Sequence, residues 1–346
     1  MDRGRHLMRT QPDAIIRKLE LHNSRLDKEG IILAAHQEGV PEFFDGVCMA
    51  LDSMVTFGVK QVPEATVDGQ GLAWTNFKML ADQLINRELT GHAARDAIQL
   101  CMEVATVAQW NDWYRRILIK DLRCGASEKT VNKVVPDCVP VFTCMLAHDS
   151  AKHEKKMTGK KQIEIKLDGV RVITIIQGNK VEMFSRNGKQ FHNFNHIITE
   201  LEAVIKDHPV PYPLVLDGEV MSASFQDLMK QLQRKETVQN SDAVLHLFDT
   251  VPLDCFQAGF WDKPQHFRSA ITKHWVEDHK AALQHVTALE WETVDLDTPE
   301  GEQRFKDINA AAVAGGYEGV MIKDVDAPYE CKRSHAWLKA KPFIEV

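Results

Sequence analysis

The sequence has no cysteine framework. Its seven cysteines (Cys48, Cys101, Cys124, Cys138, Cys144, Cys255 and Cys331) are odd in number and scattered, with no C-x-x-C pair. That excludes a disulfide-stapled scaffold and a cysteine-rich zinc site, and reads as reduced thiols in a cytoplasm. No apolar run approaches the ~18 residues a membrane span needs, and the N-terminus MDRGRHLMRT has no signal-peptide core, so a soluble protein without a membrane partner is expected. There is no basic excess either: 42 Lys and Arg against 49 Asp and Glu give a formal charge of −7, so any polyanion must be held by local clusters. Internal repeats and low-complexity tracts are also absent.

What is present is ordinary globular composition, 44% hydrophobic and 26% charged, in 346 residues, enough for two or three domains. From about residue 12 to 135 the pattern is helical. Pro12 and Pro41 suit first helical turns, Gly39 follows the apolar run IILAAHQE, and Thr75 and Thr90 read as N-caps of NFKMLADQLIN and HAARDAIQLCMEVATVA. Residues 141–161 lose periodicity and gather five lysines (Lys152, Lys155, Lys156, Lys160, Lys161), which reads as a linker between a helical domain, 1–140, and a second domain, 162–346. The second domain alternates short strands such as YPLVLDGEVM and AVLHLFDTVP with helical stretches such as HNFNHIITELEAVIKD, an α+β texture.

The segment IEIKLDGVRV alternates at a period of two. Ile163, Ile165 and Leu167 are read as a core anchor and Glu164, Lys166 and Asp168 as a polar row on the opposite face. Gly169 permits a turn or close ligand approach, and Arg171 offers a fork for phosphate or ribose oxygens. Lys166-Leu167-Asp168-Gly169-Val170-Arg171 resembles the nucleotidyl-lysine motif of ATP-dependent DNA ligases and mRNA-capping guanylyltransferases. Five further segments follow in that family's order: FSRNGK with Arg186, LDGEV with Asp217 and Glu219, LFDTV with Phe248, EGVMIKD with Glu318 and Lys323, and WLKAKP with Lys339 and Lys341.

The resemblance implies a multidomain chain, an all-α N-terminal DNA-binding domain followed by an α+β nucleotidyltransferase domain that is ATP-grasp-like with mainly antiparallel sheets. It implies ATP and Mg²⁺ (or Mn²⁺) as cofactors and Lys166 as nucleophile, with Asp168, Lys323, Lys339 and Lys341 as further catalytic groups. Attack on phosphorus needs a neutral amine, and cations stabilise the transferring phosphoryl group. Glu164 and Phe248 would hold adenine. Glu219 and Glu318 are hard oxygen donors for the metal, with a ribose contact open for Glu219. Arg186 would bind the 5′-phosphate of a nick, and Arg171 the ribose or the same phosphate.

The helical third separates DNA ligases from capping enzymes and RNA ligases. YRRILIKDLRCGASEKTVNKVVP resembles the D-L-x-x-G segment of ligases of the T-even bacteriophage, archaeal and eukaryotic type, the phage form most of all. Six basic residues (Arg115, Arg116, Lys120, Arg123, Lys129, Lys133) face three acidic ones between residues 112 and 133, a net of +3. Arg123, Gly125, Ala126 and Ser127, at the start of a new helix, would meet a duplex backbone, and Phe225 the minor groove beside a nick.

The expected partner is nicked double-stranded DNA and the expected state a monomer, in the cytoplasm (the host's if phage-encoded). After WLKAKP the family continues into an oligonucleotide-binding barrel, whereas this chain stops at Phe343-Ile344-Glu345-Val346. The expectation is therefore a ligase that adenylylates itself poorly. The alternatives are a nick- or duplex-binding fragment and, more distantly, an RNA ligase or capping-type transferase.

Overall fold

The computed structural model describes residues 9–223 and 238–340, in two compact units, 1–142 and 143–346. In the first unit, helices Pro12–Glu20, Arg25–Glu38, Pro41–Leu51, Trp74–Ile85 and Gly91–Val104 precede a continuous helical run from Val107 to Leu118, then Glu128–Val134; no strand occurs among its described residues. Pro12 and Pro41 do sit at first turns, Gly39 closes its helix at φ 74°, and Thr90 is an N-cap. Thr75 is not: the helix begins at Trp74 with Ala73 as cap residue. Trp74 packs at 5.6 Å from Phe77 and 6.4 Å from Tyr114, so aromatic burial draws the helix start one position upstream of the threonine.

The run 107–118 contains a π turn, Trp110–Tyr114, which crowds large side chains onto one face. Trp113 stacks on Phe43 at 5.8 Å and Tyr114 on Phe77 at 4.4 Å. Their neighbours fasten the irregular stretch 52–73. Trp110 Nε1 donates to Pro63 O (2.8 Å), Tyr114 Oη to Leu72 O (2.7 Å), and Asn111 bonds both backbone groups of Ala65. A long segment without secondary structure is thereby held with its buried backbone satisfied.

The second unit holds β1 (Leu146–Asp149), β2 (Lys160–Ile165), β3 (Val170–Gln177), β4 (Lys180–Ser185), β5 (Gln190–Phe191), β6 (Leu214–Met221), β7 (Val244–Pro252), β8 (Phe260–Trp261), β9 (Val286–Ala288), β10 (Trp291–Asp295), β11 (Val320–Asp324), β12 (Tyr329–Glu330) and β13 (Arg333–Ala340). A five-stranded sheet runs β1-β13-β11-β2-β10 and a six-stranded one β5-β4-β3-β6-β7-β9, with β12 and β8 paired separately. Pairing is antiparallel except for β1 with β13 and β7 with β9. Residues 141–161, read as a linker, instead supply β1 to the first sheet.

Each sheet has its own apolar layer. Ile163, Val320, Ile322 and Leu338 pack with Phe305 and Ile308 of helix Pro299–Ala314. Val172, Ile176, Leu216 and Leu245 pack with Ile197 and Leu201 of helix Asn195–Asp207.

β2 is covered on both faces, which alters the meaning of its alternation. Ile163 is in the apolar layer, but Gln162 and Glu164 on the opposite face are as deeply buried. The strand ends at Ile165, so Leu167 is not a core anchor: it lies in the turn and lines a cavity.

Candidate active site

Lys166 stands where the chain leaves one sheet for the other. Its backbone N–H donates to Gly319 O (2.9 Å), the residue before β11, and residues 167–169 carry the chain across to β3. Gly169 is required by space: a Cβ there would lie 2.3 Å from Val220 O. Its N–H donates to Glu219 Oε1 at 3.1 Å, which fixes that carboxylate beside the lysine turn.

The cavity at this crossover is about 580 Å³, ample for a nucleotide-sized ligand. Glu164, Lys166, Arg171, Arg186, Glu219, Phe248, Lys323 and Lys339 all line it, so strands from both sheets bring together residues from 164 to 339. Asp168 is exposed and does not line it, because the polar row is broken by the turn after Lys166. Glu318 reaches the site through an ion pair with Lys166 Nζ. Lys341 and Phe225 lie outside the described residues.

Part of the cavity wall is buried charge. Lys323 Nζ lies 2.9 Å from Glu164 Oε2 and 4.3 Å from the ring centres of both Phe248 and Trp337, which meet edge to face. The rings' negative faces and the carboxylate stabilise the buried ammonium from different directions. Burial pushes the Glu164 carboxyl up and Lys323 opposes it. Burial likewise raises the Glu219 carboxyl, against the pull of Arg171.

Arg171 is less free than the sequence suggests. Its Nε and Nη2 both donate to the fully buried Asp217 (2.6 Å each), and Nη2 also donates to Met145 O (3.0 Å). Tyr329 Oη donates to Asp217 Oδ2 (2.7 Å). Burial first, then the Asp217 charge, push that phenol well above its ordinary range, which keeps it a donor. The fork is thus anchored beneath the pocket, 5.1 Å from the Phe248 ring.

Several of these contributors carried no signal. Leu146 and Ala147 line the cavity from β1, and Trp337, within WLKAKP, is oriented by Nε1 donating to Gln265 Oε1 (2.8 Å). Arg333 joins the lining six residues before Lys339.

In the first unit, Ser127 is the N-cap residue of Glu128–Val134, and Arg123 and Gly125 adopt left-handed φ of 51° and 67°. Three of the six basic side chains read as a surface cluster are engaged internally. Arg116 is buried against Glu20 and Asp112, Arg115 donates to Val62 O, and Lys120 donates to Met49 O and Asp52 O. Arg123, Lys129 and Lys133 remain exposed.

Residues 144–341 match the family described as ATP dependent DNA ligase domain. Among curated relatives, a DNA ligase of Halobacterium salinarum is 30% identical over 203 residues, 53% of this chain and 33% of that protein. A probable DNA ligase of Anaeromyxobacter dehalogenans is 32% identical over 210 residues, 57% of this chain and 38% of that protein. The chain thus spans about a third of the length of the curated relatives it matches. A solved structure named Pmar-Lig_PreS3 is 63% identical, covers 97% of this chain and 79% of its own, and superposes with a TM-score of 0.62.

Proposed function

Because this chain belongs to the ATP-dependent DNA ligase domain family, we propose that it seals nicks in duplex DNA through a lysine-bound adenylate on Lys166. Lys166 Nζ attacks the α-phosphorus of ATP, forming a P–N bond as pyrophosphate leaves. The AMP then passes to the 5′-phosphate of a nick, restoring the amine, and the 3′-hydroxyl displaces AMP to form the phosphodiester. The observation that carries this reading is the convergence of Lys166, Glu219, Phe248, Lys323 and Lys339 on one cavity.

Each residue has a derivable part. Phe248 presents a ring for a base to stack on, and Glu164 is the buried carboxylate beside it. Lys323 and Lys339 place positive charge at the cavity wall, where a transferring phosphoryl group accumulates negative charge. Glu318 holds the Lys166 ammonium in the resting chain, and the amine becomes a nucleophile only after losing that proton.

Glu219 and Glu318 are the oxygen donors that suit Mg²⁺ or Mn²⁺, and a buried carboxyl with a raised pKa gains most from a nearby dication. When bound, that ion would supply charge neutralisation on the phosphoryl oxygens. For the nucleic acid, the exposed Arg123, Gly125 and Ser127 with Lys129 and Lys133 suit a duplex backbone. Arg186, exposed at the cavity rim, suits the nick 5′-phosphate.

The test is incubation with α-labelled ATP, GTP or NAD⁺ and Mg²⁺, followed by sealing of a pre-adenylylated nick. Covalent label from ATP alone, absent in Lys166→Ala, together with sealing, is the expected result. Label that persists in Lys166→Ala removes the nucleophile assignment. Preference for GTP or RNA ends replaces DNA ligation with capping-type chemistry.

A further inference from the structure

The pairing of β1 with β13 breaks in a particular way. Ala147 faces Ser334, yet the next residue, His148, faces Leu338, so residues 335–337 bow out of the β1 ladder. Bulges of this kind re-aim side chains. Here the bulge lays the His335 ring on His148, centroids 4.0 Å apart and planes within 9°. His153, between the short turns Ser150–Lys152 and Glu154–Lys156, closes on both rings edge-on, at 4.6 Å from His148 and 4.4 Å from His335. One ring nitrogen from each lies within 4.8 Å of the others, and no other group of three or more His, Cys, Asp or Glu converges so among the described residues.

We propose that His148, His153 and His335 form a binding site for one divalent transition-metal ion of the zinc class, with a fourth position open to water. Three neutral imidazoles are a donor set for zinc, cobalt, nickel or copper, and not for Mg²⁺, which takes oxygen. A tetrahedral ion with nitrogen at ~2.0–2.1 Å needs donors roughly 3.4 Å apart, so the three rings, whose nitrogens lie within 4.8 Å of one another, would close in on binding. The adjacent Arg333 is held by the Ala147 carbonyl, to which its Nη1 donates (2.6 Å).

The ion would join β1 and the 150–156 turns to β13, the strand that carries Trp337 and Lys339. It is distinct from the carboxylate-bound metal of the proposed reaction, and the two are told apart by ligand chemistry.

The test uses the tag-free full chain, stripped of metal and held in excess Mg²⁺, titrated with Co²⁺ and then Zn²⁺. One Co²⁺ per chain with the intense visible absorption of a tetrahedral site, displaced by Zn²⁺, is expected. His153→Gln and His335→Gln should each weaken binding by more than about a hundredfold, since even outer-shell changes cost 10–100-fold. Circular dichroism verifies their folding, and His92→Gln, exposed in the first unit, should leave binding unchanged. Absence of stoichiometric Co²⁺ and Zn²⁺ binding, a weak octahedral spectrum, or binding indifferent to His335→Gln overturns the proposal.

Discussion

Replacing Arg268 with methionine should destabilise the second unit by about 3 kcal/mol. Arg268 and Asp249 are both fully buried. Nε and Nη2 of the arginine donate to the two carboxylate oxygens (2.8 and 3.3 Å), Nη2 also donates to Gln265 Oε1 (2.8 Å), and Nη1 donates to Lys263 O and Ala327 O (2.6 and 2.8 Å). Removing one partner of a buried pair costs about 3–5 kcal/mol. The lower end applies because Asp249 keeps the Thr250 N–H at 3.0 Å and Gln265 Nε2 at 3.2 Å. With a urea slope of about 2 kcal/mol/M, the midpoint should fall by roughly 1.5 M. Hydrogen exchange of the β7 amides during the titration reports this unit alone. The double change Asp249→Asn with Arg268→Met should cost clearly less than the two single changes together, because it removes the stranded charge. A midpoint shift below about 0.5 M, or strict additivity, would refute the claim that this pair carries buried, mutually compensating charge.

Three further outcomes follow from the geometry. Gly169→Ala drives a Cβ into Val220 O, so it should cost about 1–3 kcal/mol by thermal melting and slow lysine labelling at least tenfold by displacing the Glu219 anchor. Tyr329→Phe deletes the hydroxyl donor to Asp217, worth about 2 kcal/mol for a bond to a buried charge, and should lower the melting temperature by roughly 4–8 °C. Burial first, then Cys138, push the Cys48 thiol from 9.0 to about 12. At pH 8 it should therefore alkylate more than about tenfold more slowly than an ordinary cysteine, the smaller thiolate fraction being only partly offset by a more nucleophilic thiolate, as peptide mass spectrometry can follow. The sign on stability is that of a raised pKa: the contribution is complete below pH 9 and is lost as pH rises through about 12.

Local chemistry made Lys166, Glu219, Phe248 and Lys323 legible, because their residue types and order carry the motif and all four line the cavity. Helix ends marked by Pro12, Gly39 and Pro41 were legible for the same reason: capping depends on immediate neighbours. Thr75 misled because packing of Trp74 outweighs a weak cap preference. Asp168 and Leu167 misled because periodicity shows a strand's faces but not the residue at which it stops. The Arg171–Asp217–Tyr329 clamp was illegible for another reason: its members are up to 158 positions apart, the β3–β6 register brings Arg171 beside Asp217, and Tyr329 arrives from the separate β12–β8 pair.

The strand order of the first sheet also governs the chain's biosynthesis. β1 and β2 leave the ribosome by residue 165, but their ladder partners, β10, β11 and β13, are not complete until residues 295, 324 and 340. The six-stranded sheet needs nothing beyond β9, which ends at Ala288. A nascent chain can therefore complete Glu219 and Phe248's half of the pocket while Lys166 still waits at the end of an unpaired strand. Lys166 acquires its β11-side backbone partner, Gly319, only after β2 has waited about 150 residues, and that interval is when β2's apolar residues are most exposed to aggregation.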